Sequence, residues 1–264
     1  MVGTETLNLF QWSGWRPKTH SHCRINCEKL VEGWLRSRPS ILLSGGTMSE
    51  QKSFKERVKE TLISNAYSYK KYYVDYEYLL CSKAFEKCEY YIVAAHEDNY
   101  LHLTGVHTGL DAAAFFEKCY KGTLEETDFD FSKKGQNENE VKGSVRRKIN
   151  SLPAIMDMFN VGTFVEEDFT KNRIRCSLAA ANISATLGFV VAGKAKPMTL
   201  LKANELNSAK AKKLDLVLHR KTDEGKFSEM LIGTGECLLE HKEALQELLS
   251  EELQALIPKE EAEE

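Results

Sequence analysis

Six side chains along this chain are of the types that phosphodiester chemistry needs: His102, Thr104, Lys202, His219, Arg220 and Ser228. A histidine, a cation and a hydroxyl gathered on one sheet could cleave RNA without a metal. A base takes the proton of the 2′-hydroxyl, a cation stabilises the crowded phosphorane, and an acid protonates the leaving 5′-oxygen. The ribose supplies the nucleophile, so no covalent residue is required. No phosphate loop, dinucleotide glycine motif, nucleophile elbow or finger-spaced zinc set competes with this reading.

These residues need elements to position them. The stretch NYLHLTGV from Asn99 is expected to be a strand, Tyr100–Val106, with Leu101 and Leu103 on its back and Tyr100, His102 and Thr104 on its front. It would return from a first strand, Tyr90–Ala95, across the turn HEDN. Upstream, a Tyr-rich helical pattern runs from Ser53 to about Phe85, with Ser49 as a candidate cap. Downstream, a helix with Phe115 and Phe116 follows Thr108 and stops at Gly122. Residues 127–142 read as a polar loop. A helix led by Lys142 then carries Arg146, Arg147 and Lys148, the densest basic patch of the chain. A strand from Asn182 to near Gly193, a basic connection from Lys194 that includes Lys202, and a hairpin of Leu214–His219 with Phe227–Ile232 come next. One amphipathic helix, Glu236–Ile257, closes the pattern. The class expected is α+β: helices first, then a four-stranded antiparallel sheet and a C-terminal helix.

The chain has 264 residues and a net charge of −3, so no global basic field announces nucleic acid. The charge is uneven: residues 1–47 carry +3 and the rest −6, with an acidic tail over 258–264. No apolar run approaches the roughly 18 residues of a membrane span. Seven scattered cysteines without framework spacing suggest reduced thiols in a cytosol. All three Trp fall in 1–47, and a well-formed helical pattern starts only after Met48. Codons for Ser44-Gly45-Gly46 can spell a ribosome-binding site just before Met48. Residues 1–47 are therefore expected to be translated leader or disordered, with 48–257 as the single domain. His20, His22, Cys23 and Cys27 lie in that segment, too cramped for a zinc finger; no metal or cofactor is expected.

Taken together, LHLTGV at Leu101, AFFEKCYKGTL, the Lys142-led helix, ATLGFV at Ala185, KPMTLLKANE at Lys196 and the LDLVLHRK…FSEML hairpin resemble the phage-encoded Barnase/EndoU/colicin/RelE-like nucleases, the fourth phage subfamily. The matching pieces span about 95–232. The resemblance implies a metal-independent ribonuclease of phages and other mobile elements, with RNA as partner and room for an inhibitor or antitoxin protein. Carried over by position, it marks His102 and Thr104, Lys142, Lys202 and Ser228. Lys196 stands where the family tends to place an aromatic. On this reading His102 is base or acid, with His219 as a further catalytic candidate. Lys202 and Lys142 hold phosphate, Thr104 and Ser228 orient it, and Arg146, Arg147 and Arg220 bind substrate. Two other readings stay open: a non-catalytic module of the same fold that binds RNA or a protein, and a protein whose C-terminal Leu stripe docks a partner.

Overall fold

The computed structural model describes residues 52–160 and 162–258. The chain divides into two units, Met1–Glu50 and Gln51–Glu264, and only the second is described here. The expected leader, the His20–Cys27 cluster, Ser49 and the tail beyond Pro258 lie outside the described residues.

Helix α1 (Phe54–Tyr69) is capped by Ser53, whose hydroxyl accepts from the Glu56 amide at 3.0 Å. A π-helical turn, Lys70–Val74, ends it. Strand β1 (Tyr76–Cys81) follows, where the sequence predicted more helix. Its residues are buried on both faces, Tyr78 and Leu80 in one core and Leu79 and Cys81 in the other. A short run that is apolar throughout carries no period to tell strand from helix. Strand β2 (Tyr90–Ala94) stands as expected.

The expected strand over Tyr100–Val106 is instead helix α2 (Asn99–Thr104), ended by Gly105 at φ +76°. Tyr100, Leu103 and Thr104 are its buried residues, at i, i+3 and i+4. Alternation and helical spacing both fit six residues, and the left-handed Gly105 marks where the helix stops. Helix α3 (Ala112–Lys121) is capped by Asp111 rather than Thr108, and ends at Gly122 as expected. Helix α4 (Glu138–Ser151) starts four residues before Lys142, because Asn137 and Glu140 form a reciprocal capping box.

The remaining strands are β3 (Phe164–Glu167), β4 (Thr170–Lys171), β5 (Ile174–Arg175), β6 (Leu178–Ala181), β7 (Ala185–Ala192), β8 (Lys194–Lys202), β9 (Lys212–Lys213), β10 (Leu216–Lys221) and β11 (Glu229–Ile232). The α+β class holds, but the sheet has nine strands rather than four, in the order β11-β10-β1-β2-β8-β7-β6-β3-β9. Two antiparallel wings, β11-β10-β1-β2 and β8-β7-β6-β3-β9, meet at one parallel bridge, Val93 to Ala195. The supposed basic connection is β8 itself: Ala195, Pro197 and Leu200 are buried between its lysines.

Helices α1–α4 cover one face of the sheet and bury the main core. The other face of the first wing is covered by α5 (Gly235–Glu240), α6 (Lys242–Leu245) and α7 (Glu251–Ala255). The continuous C-terminal helix expected is broken into these three pieces. Phe227 takes the backbone between them: its amide donates to Leu248 O at 2.8 Å, and its carbonyl accepts from Ser250 N at 2.9 Å. The five described cysteines, Cys81, Cys88, Cys119, Cys176 and Cys237, are free thiols. No described helix is long and apolar enough to cross a membrane.

Candidate active site

Strand β8 is a common floor for the two helices that carry the basic and titratable candidates: α2, with His102, and α4, with the basic run, both pack against it. Leu200 pairs with Leu187 and Lys202 with Ala185. Leu200, Leu187 and Ala185 all belong to the helix-side core. By alternation the exposed Lys202, at the end of β8, projects from that same face.

His102 is exposed on the last turn of α2. Its carbonyl oxygen accepts a hydrogen bond from Lys148 Nζ at 2.7 Å. The stem of Lys148 crosses Gly105 so closely that a Cβ there would lie 2.8 Å from Lys148 Cδ. Gly105 is thus needed twice, for its positive φ and for this passage. Among the described residues no carboxylate pairs with Lys148. Burial, and then the nearby positive charge of Lys133, push its ammonium down to about 8. An ammonium bonded to a neutral carbonyl keeps two N–H donors for an arriving anion.

The other basic residues of α4 lie at or near its surface. Lys142 pairs with Glu138 at 2.8 Å and lies 5.5 Å from the centre of the Phe131 ring. Arg146 lies over Phe54 at 5.0 Å, and Arg147 is exposed. Lys148 was legible in the sequence only as one of a basic run. Its spacing from Val141 and Val145, seven and three residues back, sets it beside the buried stripe, whereas Arg146 and Arg147 fall away from it. That offset is the signal that separates it.

Three candidates are not brought to this place, and a fourth, Thr104, stands in α2 but turned into the core. Thr104 is fully buried, and its hydroxyl donates to Leu101 O at 2.8 Å, so it closes the helix end rather than facing a ligand. Arg220 lies on the opposite face, where Nε and Nη2 hold the buried Glu77 at 3.1 and 2.7 Å and Nη1 donates to Gly225 O. His219 stacks on Tyr76 at 4.9 Å and bonds Glu229 through Nε2 at 2.7 Å. Ser228 donates to Glu224 at 3.4 Å. β10 and β11 lie three and four strands from β8, roughly 14 and 19 Å along the sheet. His219 and Ser228 therefore sit on the far wing, each bonded to a carboxylate.

What the His102 region can do follows from its groups. An exposed imidazole, an ammonium without a counter-ion among the described residues and further basic side chains offer proton transfer and anion binding side by side. Residues 61–236 match the family model described as phage-Barnase-EndoU-ColicinE5/D-RelE like nuclease4. No curated protein and no solved structure matches the chain.

Proposed function

The chain belongs to that phage nuclease family, and from this premise we propose that it is an endoribonuclease that cuts by 2′-hydroxyl attack and needs no metal. The observation that supports this most is the ammonium of Lys148, held on the carbonyl of His102 with no carboxylate partner among the described residues, on a face that also carries Lys202. His102 takes the 2′-hydroxyl proton. Lys148 and Lys202 stabilise the negative charge that grows on the phosphorane oxygens. Lys142, Arg146 and Arg147 track the flanking phosphates, a sequence-independent and salt-sensitive contribution.

The test is incubation of the purified full chain with total RNA in EDTA, followed by analysis of product ends. The expected products carry 2′,3′-cyclic phosphate and 5′-hydroxyl ends, and a DNA of the same sequence stays intact because it lacks the attacking hydroxyl. His102→Ala removes cleavage with the circular dichroism spectrum unchanged. RNA that is bound but never cut would leave the binding-module reading in its place.

A further inference from the structure

Attack by a 2′-hydroxyl needs two proton transfers, and the cluster around Lys148 supplies a single imidazole. A second one stands just beyond Gly105. His107 and Asp130 form a two-way backbone bridge, His107 N to Asp130 O at 3.0 Å and Asp130 N to His107 O at 2.8 Å. Their side chains meet as well, Nδ1 of His107 lying 3.2 Å from Asp130 Oδ1. The Ser132 hydroxyl donates to the same Asp130 oxygen at 2.6 Å and lies 3.2 Å from His107 Nδ1. Bonds from the Ser132 hydroxyl and amide, then the contact with His107, hold the Asp130 carboxyl below its usual range.

This geometry excludes one chemistry and favours another. Ser132 directs its proton to Asp130 and shares the Nδ1 side of the ring, so the three groups are not a relay that activates a serine. The carboxylate instead anchors Nδ1 and leaves Nε2 without a partner among the described residues. His107 lines an open cavity of about 670 Å³ together with Ser132, Lys133, Lys134 and Gln136. The stem of Lys148 passes over Gly105, and His107 follows two residues later, so the cavity of His107 and the ammonium on His102 adjoin the same turn.

We propose that His107, oriented by Asp130, is the general acid of RNA cleavage, and that the cavity beside it receives the leaving 5′-nucleoside. This rests on the ribonuclease reading above. As the 2′-oxygen bonds to phosphorus, its proton passes to His102. As the bond from phosphorus to the 5′-oxygen breaks, that oxygen takes the Nε2 proton of His107. The products are a 2′,3′-cyclic phosphate and a 5′-hydroxyl, and proton exchange with water restores both rings. Asp130 is a positioning residue, since it touches only His107 and its neighbours.

The experiment compares an ordinary RNA oligonucleotide with one whose scissile 5′-oxygen is replaced by sulfur, a leaving group that needs no acid. His107→Ala should cut ordinary RNA on the order of 10²–10⁴-fold more slowly than wild type and cut the 5′-thio substrate at close to the wild-type rate. His102→Ala should be slow on both. Asp130→Asn should follow His107→Ala with a smaller loss and the same rescue by sulfur, which a merely structural role would not produce. Equal loss on both substrates, or no loss for His107→Ala, overturns the proposal while leaving the ribonuclease reading standing. A wild-type chain that cuts neither substrate overturns both.

Discussion

Arg220 closes on Glu77 with two nitrogens, Nη2 at 2.7 Å and Nε at 3.1 Å, and Lys194 of the neighbouring wing bonds the same carboxylate. This carboxylate, almost wholly buried, ties β10 to β1 and then to β8, next to the single parallel bridge that joins the two wings. Burial raises its pKa, yet bonds from Lys194 and Arg220 hold it below the usual glutamate range. Glu77→Ala strands a guanidinium that is itself mostly buried, so it should cost roughly 3 kcal/mol, read as a lower urea midpoint.

The pH dependence has a definite sign. A carboxyl whose pKa falls on folding stabilises the protein above its unfolded value, and this contribution is lost as pH falls through the folded one. Glu77→Gln should therefore flatten the acid limb of the stability curve below about pH 4. Acid titrations of wild type and variant that remain parallel would contradict this.

Lys148 shifts in the same direction in another pH window, but here folding disfavours the charged form. Its pKa is lowered on folding, so above pH 8 the unfolded chain binds more protons and stability rises with pH until the unfolded value is reached. Lys148→Met keeps the apolar stem and removes the charge. It should stabilise the protein at pH 7 by about 1 kcal/mol while slowing RNA cleavage on the order of 10²–10³-fold. On the 5′-thio substrate, which needs no acid, the wild-type rate should fall as pH passes about 8, and the variant's profile should lack that decline.

Gly105→Ala tests the passage of that stem. The substitution places a Cβ at φ +76° and within 2.8 Å of Lys148 Cδ. We expect a loss of roughly 1–2 kcal/mol together with weaker cleavage, because Lys148 must leave the His102 carbonyl. A thermal melt and a cleavage assay on the same sample read both.

Thr104→Val and Ser228→Ala separate helix α2 from the far wing of the sheet. The first removes a buried hydroxyl bonded to Leu101 O and should cost about 1 kcal/mol. The second alters an exposed group beside Glu224 and should leave the melting temperature unchanged. Neither should change the cleavage rate; a large loss for Ser228→Ala would move the active site to the far wing.

Local signals in the sequence were enough for whatever depends on near neighbours. The glycine stop of α3, the strand at Tyr90 and the hairpin of β10 with β11 are written in caps, turns and alternation, and these act over a few residues. The family likeness was also legible, through the order of short motifs from Leu101 to the last hairpin. What only the tertiary structure decided were the segments whose partners lie far along the chain. β1 was hidden in a helical pattern because both its faces are covered. β8 looked like a basic connection because its buried Ala195, Pro197 and Leu200 alternate with lysines. NYLHLT fits either period and became a helix once Tyr100 and Leu103 shared a core with Phe116. The same holds for chemistry: residue type nominated His102 and Arg220 alike, but one carbonyl bond from Lys148 and one buried glutamate, each contributed from far along the chain, set their different circumstances.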